Sequence, residues 1–221
     1  MTQRILKIAL AASAMIAASP ALASTTIANS DSGNDVSSFG RPDSQTYGQV
    51  FRAPITGVLS SFTFWMNGSV QGVSGGVGTW NDSDLTWNAG NGSPTNLFLG
   101  APTNASGATT VLPGVNVTAG QLYVAYLTVF GNPGPSGTVS FDLGGANPDL
   151  GYFVWNNSVN PAGDSSWDYF FNPGNARFSA TFDAQGAVPE PSTWALMILG
   201  FGLMGYGLRR RQKVKTSVSY A

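Results

Sequence analysis

The chain has 221 residues, with 10 basic and 11 acidic residues, no Cys and no His. The lack of Cys excludes disulfides, thiolate nucleophiles and zinc-thiolate sites, and the lack of His excludes a Ser-His triad and imidazole metal ligands. Residues 24–187 contain ten Asp, three Arg, no Lys and no Glu, so the net charge of this part is 3 − 10 = −7. An acidic surface repels phosphate backbones, and we therefore expect no nucleic-acid partner.

The first 23 residues have the pattern of a secretory signal peptide. A basic region, an apolar segment and a small-x-small cleavage site follow one another, formed by Arg4 and Lys7, residues 8–18, and Ala21 and Ala23. A permanent anchor would need about 18 apolar residues and no such cleavage site. We therefore predict cleavage after Ala23, which leaves Ser24 as the first residue of the exported chain.

Residues 24–187 are predicted to form one all-β domain. Apolar and polar residues alternate over 61–66 and 177–183, as in half-buried strands, whereas both faces of 122–130 are largely apolar, as in a central strand. Further short strands are predicted at 46–52, 76–80, 96–99, 109–112, 137–143, 151–155 and 167–171. We predict an antiparallel β-sandwich of the jelly-roll type, with an immunoglobulin-like sandwich as the alternative.

The acidic residues suggest a metal site more than a catalytic one. The candidate ligands are Asp82 with Asp84 and Asp164 with Asp168, which lie in segments rich in Asn, Ser and Gly. Asp in such segments commonly bonds to the backbone of a turn, and a glycosidase needs two carboxylates facing each other across a cleft. We expect no enzyme activity and no required cofactor, but these oxygen ligands suit calcium.

Four tryptophans lie near predicted loops and suggest a second kind of site. They are Trp80, Trp87, Trp155 and Trp167. Flat aromatic faces beside Asp and Asn side chains are suited to holding sugars, and these residues are predicted sugar contacts. The alternative is that they pack in the core, where aromatic residues are common in β-sandwiches.

The C-terminal region combines a proline-flanked glutamate, an apolar segment and a basic cluster. The fifteen residues 194–208 would extend about 22 Å as a helix, at about 1.5 Å per residue, against a hydrocarbon core about 30 Å thick. Residues 192–193 and the prolines could extend the segment into the interface. We predict a single transmembrane helix whose basic end and tail, residues 212–221, face the cytoplasm by the positive-inside rule.

These C-terminal residues resemble the PEP-CTERM sorting signal of Gram-negative bacteria in its PEPxxWA variant. The resemblance covers residues 188–211, and the residues that carry it are Pro189, Glu190, Pro191, Trp194, Ala195, the Gly200-Phe201-Gly202 continuation, and Arg209, Arg210 and Arg211. It implies recognition and cleavage by an exosortase, a membrane-embedded cysteine protease. It also implies a transient anchor in the inner membrane, followed by release to the cell surface or extracellular matrix.

The domain between the two ends resembles a domain common among PEP-CTERM exported proteins. The resemblance covers about residues 46–183 and rests mainly on the segments 47–51, 59–64 and 117–127. That domain looks like the jelly rolls of carbohydrate-binding modules and has no assigned activity. The resemblance supports the fold and leaves the activity open. Together with the sorting signal and the composition, it leads us to expect a non-catalytic surface or matrix protein of the polysaccharide layer or biofilm. The alternative is a carbohydrate-binding module, stabilised by calcium, that contacts surface polysaccharide.

Overall fold

The structure is a computed structural model that describes residues 24–81, 94–157, 161, 167–169, 174–185 and 191–210. The chain divides into two compact units, residues 1–185 and 186–221. The strands are β1 (Ser24–Ala28), β2 (Asp31–Arg41), β3 (Thr46–Arg52), β4 (Gly57–Trp80), β5 (Pro94–Leu99), β6 (Thr103–Val111), β7 (Val115–Val117), β8 (Leu122–Thr128), β9 (Gly137–Gly144), β10 (Leu150–Asn156), β11 (Asp168–Tyr169) and β12 (Phe178–Ala184), and the helix is α1 (Pro191–Arg210). The prediction of a mainly antiparallel β-protein is confirmed.

A single long strand, β4, joins two halves of one twelve-stranded sheet. Its first part pairs with β12, β6, β7 and β9 and, together with β1 and β2, forms the half that we name sheet I. Its last part, from Ser74 to Trp80, pairs with β8 and β5 and, together with β3, β10 and β11, forms sheet II. All these strand pairs are antiparallel. The jelly-roll topology is not confirmed, because the connected order is β1-β12-β4-β8-β3-β10-β11 through the shared strand.

The transition within β4 occurs at two irregularities in its pairing with β6. The register shifts between Met66 and Ser69 and again between Val70 and Val73. Gly68 and Gly72 lie in these intervals with φ of 117° and 66°, a backbone region that glycine adopts without a steric penalty. Bulges of this kind bend a strand, and strands that switch sheets in this way make the corners of packed sheets.

The inner faces of the two sheets meet in an aromatic core. The Phe51 ring of sheet II lies 5.7 Å from that of Phe178 in sheet I, and the Tyr47 ring lies 5.2 Å from that of Phe141. Every residue of β8 is buried, which confirms the prediction of a central strand from its two apolar faces. The core therefore lies between the sheets, with β8 in the middle of sheet II.

One polar side chain crosses this core. Gln49, on β3, is fully buried, and its Nε2 donates to Asn175 Oδ1 at 2.9 Å and to the Val50 carbonyl at 3.0 Å. The backbone N–H of Ala176 donates to Gln49 Oε1 at 2.8 Å. Gln49 therefore ties sheet II to the segment that leads into β12 of sheet I.

Three strands lie where the sequence predicts none, namely β1, β2 and β7. Strand β2 has eleven residues, mostly Gly, Ser, Asp and Asn. Val36 and Phe39 are the two large apolar side chains that it buries. It is held by antiparallel pairing with β9, with register shifts along its length. This segment therefore becomes a strand through long-range pairing with β9, which leaves no periodic pattern in the local sequence.

The C-terminal helix is present, but the prediction that it spans a membrane is corrected. In the part of the chain that the structure describes, no helix is both long enough and apolar enough for a membrane crossing. The twenty residues of α1 include four glycines, polar Ser192 and Thr193, and the charged Arg209 and Arg210. These residues lower the mean hydropathy below that of a spanning segment.

Candidate sorting segment and aromatic cluster

Helix α1 carries most of the predicted sorting residues. Pro191 is its first residue, a position that suits proline because the missing N–H would have no partner within the helix. Trp194, Ala195, Arg209 and Arg210 also lie on the helix. The other predicted motif residues, Pro189, Glu190 and Arg211, lie outside the described residues, as do the predicted cleavage residues Ala21 and Ala23.

The described side chains of α1, at residues 197–209, are all exposed, and every large one except Arg209 is apolar. Eight large apolar residues are 53–70% exposed: Met197, Ile198, Leu199, Phe201, Leu203, Met204, Tyr206 and Leu208. A Cβ placed on any of the four glycines would meet no atom within 4 Å outside the helix's own turns. Residues 197–208 therefore present an exposed apolar surface.

The fold and the C-terminal segment together define a class of protein. Its members have a β-sheet domain followed by a short C-terminal sorting segment that forms its own compact unit. Residues 187–211 match the family model described as the PEP-CTERM protein-sorting motif. The predicted resemblance is confirmed, and the chain carries this motif, which implies export and membrane-associated sorting in Gram-negative bacteria. No curated protein and no solved structure matches the chain.

Two of the four predicted sugar-contact tryptophans come together in the structure. Trp80, at the end of β4, and Trp167, just before β11, have ring centroids 5.9 Å apart at an interplanar angle of 89°. Tyr126 lies 5.7 Å from Trp167, and the Trp80 indole N–H donates to the Tyr152 hydroxyl at 2.6 Å. Both tryptophans are only 4% exposed. We name these four residues the aromatic cluster.

The aromatic cluster belongs to the face of sheet II that points away from the main core. Tyr152 and Val154 of β10 pack in it, whereas Phe153 and the partly buried Trp155 pack against the main core. This separation follows from the alternation of side chains along a strand. Trp155 is therefore apart from Trp80 and Trp167, and Trp87 lies outside the described residues.

Tyr126, which the sequence analysis did not single out as a site residue, is fully buried in the aromatic cluster. Burial raises its pKa to about 12, because the phenolate would be desolvated. Its hydroxyl lies 3.2 Å from the amide of Asn96. Room for the ring comes from Gly76 on the neighbouring strand, where a Cβ would lie 2.1 Å from Tyr126 Cζ. A glycine inside a strand is the sequence signal for such a close approach.

One polar atom in the aromatic cluster lacks a partner among the described residues. This atom is the indole nitrogen Nε1 of Trp167, which is buried. An unpaired buried donor costs about 1–3 kcal/mol. The cluster therefore holds a free donor among aromatic rings.

The predicted calcium ligands fall mostly outside the described residues, namely Asp82, Asp84 and Asp164. Asp168 is exposed on β11, opposite Trp155 in the strand register. Among the described residues, no group of three or more acidic, His or Cys side chains is placed to hold a metal ion. The calcium site stays a prediction.

An ion-pair cluster on sheet I was not predicted. Arg177 Nη1 lies 3.0 Å from Asp31 Oδ2 and 3.0 Å from Asp142 Oδ2. The guanidinium carbon lies 4.7 Å from the centroid of the Trp65 ring, a cation–π contact. Partly exposed pairs of this kind contribute about 0–1 kcal/mol each. These side chains come from β2, β4, β9 and the residue just before β12, and no local sequence motif links them.

Proposed function

We propose that the protein is an exported, non-catalytic component of the cell surface or extracellular matrix, cleaved by an exosortase near Pro189-Glu190-Pro191. The observation that carries the proposal is the match of residues 187–211 to the PEP-CTERM protein-sorting motif. The exposed apolar surface of α1 supports it, since a protease embedded in a membrane needs an apolar segment to recognise. The absence of Cys, His and, in residues 24–187, Lys supports the non-catalytic part, because few acid–base groups remain.

The test is the identity of the C-terminus after export. The full chain is expressed in its own host, and the surface form is analysed by mass spectrometry. We expect a C-terminus close to Pro191 and no peptides from the segment beyond it. Recovery of an intact Tyr220-Ala221 end from the surface form would overturn the proposal.

A matched pair of variants distinguishes specific recognition of the motif by the exosortase from a non-specific effect of changing this segment. Glu190→Gln changes the central motif residue, whereas Ser192→Ala changes one of the two unspecified positions of PEPxxWA. We expect the first variant to accumulate uncleaved in the cell envelope and the second to be cleaved like the wild type. A strain without the exosortase should reproduce the Glu190→Gln result. Equal cleavage of both variants would contradict recognition of the motif.

We propose carbohydrate binding, with calcium stabilisation, as the second candidate function. The observation that favours it is the unpaired Trp167 donor within the aromatic cluster. A sugar hydroxyl is a natural acceptor for an indole N–H, and the rings supply apolar faces. Because Trp80 and Trp167 are each only 4% exposed, a sugar can reach these rings only after neighbouring side chains move.

Tryptophan fluorescence against a panel of surface polysaccharides tests the second candidate. Trp167→Phe keeps an aromatic ring but removes the donor, so we expect it to weaken binding while the melting temperature changes little. Trp155→Phe, on the opposite face of sheet II, is the control and should bind like the wild type. A panel without any fluorescence change would leave the tryptophans as packing residues only.

A further inference from the structure

Sheet I ends in an open edge on each side. Among the described strands, β1 pairs only with β12, and β6 pairs only with β4. Between them the sheet is four strands wide, and one continuous row of paired residues crosses it: Ile27, Ala180, Phe62 and Val111. Most residues of β1 and β6 are exposed or half-buried. The Ala28 carbonyl at the end of β1 accepts a hydrogen bond from Asn147 Nδ2 at 2.7 Å. Elsewhere along both edges, no described strand pairs on the outer side, so backbone groups there can pair with an added strand.

Neither edge carries the features that usually prevent association. No side chain of β1 or β6 is charged and neither strand contains a proline, whereas natural proteins protect edges with Lys, other charges, Pro or very short strands. Other outer strands do carry such protection: β2 contains Asp31, Asp35 and Arg41, and β11 has only two residues. Strands β5 and β7 are also uncharged and pair only with β4, but β5 begins with Pro94 and β7 has only three residues. Among the described outer strands, β1 and β6 are therefore the two that lack all of these features.

The direction and length of the two edges match each other. Each neighbouring pair in the order β1-β12-β4-β6 is antiparallel, so β1 and β6 run in opposite directions. If one copy is placed beside another with the same face towards its core, β6 of the first meets β1 of the second in antiparallel orientation. The regular part of β6, Gly107–Val111, has five residues, as many as β1. Leu112, directly after β6, is 74% exposed and adds an apolar contact.

We infer that copies of this chain associate head to tail, with β6 of one copy adding to β1 of the next. A contact between two different edges does not close on itself, so it produces open chains of copies and not a dimer. Five paired residues make a small interface, and each contact is weak. Many copies held close together at a surface raise the effective concentration and stabilise the chains.

Cysteine cross-linking tests the contact directly, because the chain has no Cys of its own. Thr26→Cys marks β1 and Thr110→Cys marks β6, both at exposed positions. The full chain is produced in its own host, and intact cells are treated with a short bismaleimide. We expect no product from either single variant, dimers when the two are co-expressed, and a ladder from the double variant.

Two results would overturn the inference. Cross-linked dimers from Thr110→Cys alone would indicate a two-fold contact between two β6 strands. If a fluorescent maleimide labels both cysteines and yet none of the combinations gives a product, the edges do not meet.

A charge placed on either edge provides an independent test. In sedimentation of the purified exported protein, the wild type should become larger with concentration, whereas Thr26→Lys and Thr110→Lys should stay monomeric with unchanged melting temperatures. The matched control is Ser136→Lys, which adds the same charge at an exposed position before β9. Equal association of the edge variants and the control would refute pairing through these strands, and neither experiment depends on exosortase cleavage.

Discussion

Gln49 offers the sharpest test of how the two sheets are held together. Replacing it with Leu removes a polar side chain from a fully buried position without leaving a large cavity. The Ala176 N–H and Asn175 Oδ1 then lose their partner, and the Val50 carbonyl loses a hydrogen bond as well. An unsatisfied buried group costs about 1–3 kcal/mol, so Gln49→Leu should lower the free energy of unfolding by about 2–6 kcal/mol. The apolar surface that Leu buries offsets part of this loss.

Urea denaturation followed by circular dichroism measures the change in the free energy of unfolding. Gln71→Leu is the matched control, since Gln71 is exposed on β4 and the same substitution there should change stability by less than about 0.5 kcal/mol. Gln49→Glu adds a pH signature, because burial raises the pKa of the new carboxyl group. Its penalty should therefore grow as the pH rises above about 4.3. A Gln49→Leu protein as stable as the Gln71→Leu control would refute the bridging role.

Three further predictions concern the aromatic cluster and calcium. Because the pKa of Tyr126 is raised to about 12 from 10.0, stability is complete below pH 10 and falls by about 1.4 kcal/mol per pH unit as the pH rises towards 12. Tyr126→Phe should show a shallower loss over this range, and an identical slope would exclude Tyr126 as the cause. Gly76→Ala should destabilise by about 1–3 kcal/mol or more through the clash with the Tyr126 ring. Combining it with Tyr126→Val should cost less than the sum of the two changes; strict additivity would mean that the clash is absent. Calcium should raise the melting temperature if the Asp-rich segments bind it, and an unchanged midpoint at millimolar calcium would reject that site.

The strands that the sequence predicts well are those with a local pattern. The alternating residues 177–183 correspond to β12 (Phe178–Ala184), and the doubly apolar residues 122–130 correspond to β8 (Leu122–Thr128). In each case the side chains that will be buried are already spaced for a strand, so the pattern is visible before any partner is known. The segment from 57 to 80 is different. Its pattern predicts two separate strands, but pairing with β6 continues across the bulges at Gly68 and Gly72, so the segment forms one strand of 24 residues.

The candidate sites show the same contrast. Trp80 and Trp167 are 87 residues apart in the chain. Their rings meet because the two side chains, at the end of β4 and just before β11, lie on the same face of sheet II. Trp155 appears equivalent to them in the sequence, yet it points to the opposite face of the sheet. Two tryptophans can share a site only if their side chains point to the same face of the sheet and their strands lie close together in it. The residue types near a loop do not reveal either property.

The sequence alone revealed the sorting motif of this protein and excluded catalytic and metal sites that need Cys or His. The sorting motif occupies 25 consecutive residues, 187–211, and its meaning depends on the order of neighbours along the chain, so no folding is needed to recognise it. The tertiary structure alone decided that β4 joins two sheets, that Gln49 crosses the core, and that β1 and β6 are the open, uncharged edges of one sheet. These features arise from contacts between residues that are far apart in the chain, and such contacts exist only after long-range pairing has chosen one register over all others.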